Sequence, residues 1–367
     1  MSKQLRPLMI GDLEVPIPIV QGGMGVKVST ASLASAVANC GGAGTIASVG
    51  LAHGIDETGR ELVEASDEAL RNEIIKAREL TDGVIGVNIM FALSNFKELV
   101  KTTVEQGADF IVSGAGLPLN LPGLVGDSPI KLIPIVSSAR AAGLIIKTWR
   151  RRYNRLPDAV VVEGPRAGGH IGFRFEDLTS NQTEPLETLV VDVLNLVREY
   201  ETGGTIPVIA AGGVFDGKDI AAFLALGAQG VQMATRFVVT HECSVADEFK
   251  RLYISAGEED VVIIDSPVGM PGRAIRTKFT DRVMSGNREP FRCSYKCLRT
   301  CDPKTVPYCI AKALGHAADG DLDNAVVFAG SNVSRVTKIV SVKELMDELV
   351  LETTERLNER KGEGGRA

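Results

Sequence analysis

One of the four histidines in this 367-residue chain stands in a setting suited to chemistry. His170 ends the run Glu163-Gly164-Pro165-Arg166-Ala167-Gly168-Gly169-His170, and Ile171-Gly172 follow it. Small residues leave room around an imidazole that takes or gives a proton near neutral pH, as a general base must. His53, His241 and His316 read as structural. A second group is Cys293, Cys297, Cys301 and Cys309, spaced x₃, x₃ and x₇. Four soft thiolates suffice for one [4Fe–4S] cluster. Structural zinc is the competitor, although its sites favour close Cys pairs separated by a wide gap. Cys40 and Cys243 are isolated, and a cluster of this kind in a large chain points to metal rather than disulfides.

These side chains need a frame, and the hydrophobic pattern supplies one. Short β-branched runs occur at Ile17–Val20, Gly44–Ser48, Val84–Met90, Asp109–Ser113, Lys131–Val136, Ala159–Glu163, Pro207–Ala211 and Gly230–Ala234. Continuous rather than alternating apolar residues mark strands buried on both faces, as in a parallel sheet. Amphipathic segments between them predict helices over Thr30–Cys40, Glu61–Leu80, Asn95–Gln106, Ser137–Arg152, Glu184–Tyr200, Lys218–Leu226 and Ser244–Ala256, with a short one near Leu121–Gly126. Eight β-α repeats fit a closed TIM-type (β/α)₈ barrel better than the alternative, an open doubly wound sheet. The expected division is a barrel over 1–256 and an extension over 257–367 with the cysteines, a helix from about Tyr308 to Ala318, and a last helix opened by the capping box Ser341-Val-Lys-Glu344. The charged, Gly-rich tail after Leu357 is expected to fray.

In a barrel, function collects on the loops after the strands. Here those loops carry Gln21-Gly22-Gly23-Met24-Gly25, Asn88, Ser113-Gly114-Ala115-Gly116, Gly168-Gly169, Ala211-Gly212-Gly213 and Gln232-Met233-Ala234-Thr235-Arg236. Glycine turns after the seventh and eighth strands are the usual phosphate position of such a barrel. No run reads G-x-G-x-x-G, which disfavours a Rossmann site. A net charge of −6 argues against a nucleic-acid partner. No apolar run approaches the roughly 18 residues that span a bilayer. The start, Met1 to Pro7, has no apolar stretch of a secretory leader, so the expected location is the cytoplasm.

The motifs Gln21–Gly25, Ala167–Gly172, Pro207–Gly213 and Gly230–Phe237 resemble the nitronate monooxygenase (2-nitropropane dioxygenase) superfamily. These are FMN proteins on a TIM barrel and include the FabK-type enoyl-ACP reductases. The resemblance covers residues 10–240. It implies FMN held by Gly23, Met24, Asn88, Gly168, Gly169, Gly212, Gly213, Gln232, Met233, Ala234 and Thr235, with His170 catalytic. Ala234 departs from the Gly that many nitronate monooxygenases carry. The cysteine run, Ser266–Gly269, Val162–Pro165 and Ser341–Leu345 further resemble FabX-type flavin/iron–sulfur acyl-ACP dehydrogenase/isomerases. Ordinary nitronate monooxygenases and FabK-type reductases lack the cysteine element.

The expected activity is therefore flavin-dependent oxidation, with possible double-bond migration, of an acyl thioester carried by acyl carrier protein. The rivals are a nitronate monooxygenase using O₂, an NAD(P)H-dependent enoyl-ACP reductase, and a phosphate-sugar isomerase without flavin. A homo-oligomer is compatible with the sequence. Lys147, Arg150, Arg151, Arg152 and Arg155 form a basic stretch, read first as helix-end cations at the barrel's bottom. Arg166, Arg174 and Arg273 are the candidates for receiving an acidic carrier at the top.

Overall fold

The computed structural model describes residues 5–54, 59–201, 204–293 and 295–364. In chain order the strands are β1 (Leu8–Ile10), β2 (Leu13–Val15), β3 (Ile19–Gln21), β4 (Gly44–Ala47), β5 (Ile85–Asn88), β6 (Phe110–Ser113), β7 (Lys131–Val136), β8 (Val160–Glu163), β9 (Gly169–His170), β10 (Val208–Ala211), β11 (Gly230–Met233), β12 (Val261–Asp265), β13 (Pro271–Ile275) and β14 (Val327–Phe328). The α-helices are α1 (Ala31–Asn39), α2 (Gly59–Leu80), α3 (Phe96–Glu105), α4 (Leu121–Val125), α5 (Ala139–Tyr153), α6 (Phe175–Thr179), α7 (Leu186–Arg198), α8 (Gly217–Leu226), α9 (Thr235–Val238), α10 (Asp247–Ser255), α11 (Lys278–Met284), α12 (Ile310–Asp319) and α13 (Val342–Gly364).

Eight parallel strands run in the order β3-β11-β10-β8-β7-β6-β5-β4. A parallel bridge from Val20 to Ala43, with Gln21 N donating to Ala43 O at 2.9 Å, closes β3 onto β4. The sheet is a TIM barrel, and all eight expected strands form it. Its strands read as continuous apolar runs because both faces are buried. Val20, Phe110, Val112, Ile133, Val161 and Ile209 fill the interior. Ile46, Val87, Ile111, Val160 and Val208 face the helices. Gly86 is required opposite Phe110, since a Cβ there would lie 2.2 Å from the ring.

The sequence reading missed the β1–β2 hairpin. Its Leu8, Ile10 and Val15 join the interior cluster and plug the end of the barrel away from the strands' C-terminal ends. It also missed the antiparallel sheet of β12, β13 and β14, to which the two-residue β9 pairs. The two-residue β9 and β14 are too short to show a period, and β12 and β13 stand outside the β-α alternation that marks the barrel. Helix α13 opens on the Ser341–Glu344 capping box, where Ser341 N donates to Glu344 at 2.7 Å. It continues to Gly364 rather than fraying after Leu357, and its earlier turns lie against α8 and α1. Among the described residues, no helix is long and apolar enough to cross a membrane.

Asp216 ties the extension to the barrel. Its side chain caps α8 by accepting from Lys218 N and Asp219 N, and it pairs with Arg335 at 2.5 Å. Burial alone would raise its carboxyl, but these donors outweigh burial and hold it below its ordinary 3.8. Asp216→Ala should cost about 1–2 kcal/mol, as loss of an N-cap does. A depressed folded pKa contributes stability at neutral pH that vanishes as pH falls through it. Urea titrations of wild type and variant should therefore differ at pH 7 and converge in acid. An equal gap at both pH values would contradict the assignment.

Candidate active site

A cavity of about 930 Å³ opens over the C-terminal ends of the barrel strands. Gly23, Met24 and Asn88 line one part, and Gln232, Ala234 and Thr235 another. Gly168, Gly169 and His170 line a third. Met233 lies behind the wall, its carbonyl accepting from Gly22 N at 2.8 Å. Gly212 and Gly213 also sit behind it, in positive-φ turns (82° and 116°) that glycine adopts freely. A Cβ on Gly212 would come 2.8 Å from Gly164 O.

The first loop is held from below by Gln21, which is fully buried. Its amide oxygen accepts from Thr45 N at 3.0 Å and its nitrogen donates to Ser29 Oγ at 2.8 Å. Ser29 Oγ also receives Met24 N at 2.9 Å. Gly23 then lies flat on Asn88, where a Cβ would be 2.3 Å from that of Asn88. On the opposite side, the segment Gly330–Arg335 clasps three loops at once. Gly330 N donates to Thr235 Oγ1 (3.1 Å), Ser331 N to Arg166 O (3.1 Å) and Asn332 Nδ2 to Gly213 O (2.6 Å). Sequence reasoning singled out none of Gly330, Ser331 and Asn332, which supply these contacts.

His170 is part of β9, paired with Gly272 of β13. Its Nε2 lies 2.7 Å from Ser266 Oγ, and its ring stands edge-on to Phe328 at 4.9 Å. Burial pushes the imidazole down to about 4, so it is neutral at pH 7 with a lone pair free to take a proton. Glu163, at the end of β8 in the same cavity, is pushed by burial up to about 7. Sequence reasoning passed over it, although a carboxyl at a barrel strand's C-terminal end was the available signal. Tyr308, itself buried, donates to Asp265 O at 3.1 Å, one residue before Ser266.

The four cysteines also line this cavity. Burial, then Cys309, Cys293 and Cys301, push Cys297 up to about 12, so the thiols are near neighbours. Among the described residues, however, no three His, Cys, Asp or Glu side chains are arranged to hold a metal ion. The cysteine segment is stitched onto the β5–α3 loop. Ser94 N donates to Cys297 O (2.9 Å), Arg299 N to Ala92 O (3.0 Å), and Arg299 lies over Phe91 at 4.7 Å. Arg273, expected at the surface, is instead 8% exposed and donates to Pro165 O and Ala167 O at 2.6 Å each. It is a tie within the site and offers no surface to a carrier. Arg166 and Arg174 are exposed.

The family model described as nitronate monooxygenase matches residues 6–352. The chain belongs to the nitronate monooxygenase family. A relative from Mycobacterium tuberculosis, named (3aS,4S,5R,7aS)-5-hydroxy-7a-methyl-1-oxo-octahydro-1H-indene-4-carboxyl-CoA dehydrogenase, is 33% identical over 78% of this chain and 70% of its own. A protein of Staphylococcus saprophyticus described as "Probable nitronate monooxygenase" is 27% identical over 76% of this chain and 81% of its own. The structure of FabK from Thermotoga maritima superposes with a TM-score of 0.74 at 29% identity, covering 95% of this chain and 96% of that one. The protein is thus an oxidoreductase of the nitronate monooxygenase family.

The two perturbed groups have opposite linkage. Between about 4 and 6.5 the unfolded chain protonates His170 while the folded one does not, so stability rises with pH. Between 4.5 and about 7 the folded chain keeps a proton on Glu163 that the unfolded one loses, so stability falls with pH. The two slopes, each at most about 1.4 kcal/mol per pH unit, oppose each other in wild type. Denaturant titrations across pH 4.5–6.5 should show His170→Gln losing stability as pH rises and Glu163→Gln gaining it. Parallel profiles for the two variants would refute these environments.

Proposed function

We propose that this oxidoreductase binds FMN and removes two hydrogens from an acyl thioester, with His170 as base. The observation that carries the reading is a buried, neutral imidazole on the wall of a large cavity that also presents Met90, Leu93, Met270 and Leu314 to a chain. One relative is itself named a carboxyl-CoA dehydrogenase.

The residues fit FMN. Loops at Gly23 and Gly168 are packed so closely that a Cβ would overlap their neighbours, leaving bare backbone to meet a flat heterocycle. The Oγ of Thr45 and of Ser48, at the end of β4 beside this loop, are buried without a partner. Gly23, Met24, Asn88 and Gln232 would hold the ring, and Gly212, Gly213, Ala234 and Thr235 the phosphate side, with Gly168, Gly169 and Met233 backing them. FMN, when bound, supplies a two-electron acceptor for a hydride leaving the β-carbon. His170 takes the α-proton. With Ser266 Oγ accepting from Nε2–H, the lone pair that receives that proton would be on Nδ1. Once that proton has passed to solvent, His170 removing one from C4 of the 2-enoyl product and returning it to C2 would move the double bond to C3–C4.

We assign Cys293, Cys297, Cys301 and Cys309 to a [4Fe–4S] cluster on the chemistry of the donor set. The thiols do not converge as they stand, so no electron step is routed through them. A second reading is nitronate oxidation, favoured by the family model and the staphylococcal relative. There His170 would take the proton of a nitroalkane instead. The FabK likeness favours a third, enoyl reduction with NAD(P)H, which is the same redox step in reverse.

His170→Ala should retain FMN and lose about 10²–10⁴-fold in turnover. Anaerobic bleaching of the flavin by acyl thioester, and its absence with nitroalkane, would support the thioester; the reverse would establish the nitronate reading. Cys297→Ser should abolish the iron and sulfide content of anaerobically purified protein while FMN stays bound. Stoichiometric zinc without sulfide in wild type would remove the cluster.

A further inference from the structure

The cysteine segment carries a charge pattern that the proposed chemistry does not use. Between residues 288 and 312 stand Arg288, Arg292, Lys296, Arg299, Lys304 and Lys312 against only Glu289 and Asp302, in a chain whose net charge is −6. Glu289 is engaged by Arg282 at 2.7 Å, and Asp302 accepts from the backbone of Lys304. Arg292, Lys296 and Lys312 are exposed, line the cavity, and have no ion-pair partner among the described residues. Nearby cations differ: Lys278 on α11 is paired with Asp323 at 3.0 Å. Arg292 and Lys296 directly precede Cys293 and Cys297 in the chain, and Lys312 lies in the first turn of α12, three residues after Cys309, so all three border the cysteine side of the cavity. Next to them the wall becomes apolar, with Leu298, Ile310 and Leu314.

We propose that Arg292, Lys296 and Lys312 form a binding site for the phosphate of a phosphorylated pantetheine arm, anchoring it at the cavity mouth while the thioester reaches His170. The inference rests on the acyl-thioester reading. An anionic phosphate, singly charged as the phosphodiester on a carrier protein and part of a diphosphate in coenzyme A, followed by a long, weakly polar arm matches exposed cations with apolar residues beside them. Arg292 contributes a planar fork suited to phosphate oxygens, and the two lysines act as point charges. A nitroalkane has no group for this collar. The same head is presented by a carrier protein or by coenzyme A, and substrate arms separate those sources.

Calorimetry on the holoenzyme should show 4′-phosphopantetheine binding at least about tenfold more tightly than pantetheine, with the gap shrinking as salt rises. Arg292→Glu/Lys296→Glu should erase that gap. Single Arg292→Gln, Lys296→Gln and Lys312→Gln variants, checked for unchanged flavin and iron content, should each narrow it. In turnover, the KM ratio between an acyl-N-acetylcysteamine thioester and the acyl-carrier-protein or acyl-CoA form should fall in the same variants. Preference for one of the last two identifies the source. Equal binding of the two pantetheines by wild type overturns the collar. A binding gap without turnover of any thioester leaves the collar standing and overturns the thioester reading instead.

Discussion

Arg273 brings a positive charge from the extension into the interior of the site and spends it on two backbone carbonyls, Pro165 O and Ala167 O. No carboxylate takes part in that contact. Burial, then the neighbouring Arg166, lower its pKa to about 10, still well above neutrality, so the guanidinium stays charged. Desolvating a cation is costly unless its donors are satisfied. The carbonyls of the β8–β9 loop satisfy this one only in the conformation observed. That loop ends in His170, so the position of the imidazole depends on a residue more than a hundred positions later in the chain.

The pairing of β9 with β13 extends the same logic. A two-residue strand cannot hold itself, and Gly169 and His170 are ordered because Arg273 and Gly272 lie opposite. Ser266 and Phe328, from either side of β13 in sequence, then fix the ring by a hydrogen bond and an edge contact. The barrel supplies the loops, and the later segments supply their second wall. Gly330–Arg335 performs the corresponding task on the far side by binding the loops after β8, β10 and β11 together.

This arrangement explains what could be read from the chain. Strands buried on both faces advertise themselves by composition, so all eight barrel strands were legible, and the amphipathic helices between them followed. His170 was legible because its glycines are local. Its partners were not. Ser266, Phe328 and Arg273 are brought to it by strand pairing across long sequence separations, and a lone arginine carries no sign of whether it faces water or a carbonyl. Arg273 therefore looked like surface charge. The β1–β2 hairpin was missed for a different reason: three-residue strands are too short to display a period, although Leu8, Ile10 and Val15 seal the barrel interior.

His170 and Glu163 show what the enclosed site does to charge. The same loss of water lowers the base and raises the acid, so near neutrality the imidazole is uncharged and the carboxyl is close to half protonated. Apart from the Arg273 guanidinium, held by the backbone carbonyls of Pro165 and Ala167, the wall beside His170 carries little fixed charge among the described residues, while Arg292, Lys296 and Lys312 line the cavity as exposed cations. In a medium of low dielectric a charge next to the base would alter its proton affinity by several kcal/mol, whereas at a solvated rim it is screened. On the proposed reading, cations on the cysteine segment rather than beside His170 would attract an anionic substrate with little effect on the imidazole. The extension then acts in two places, as the brace that orients His170 and as the charged rim that keeps its distance from it.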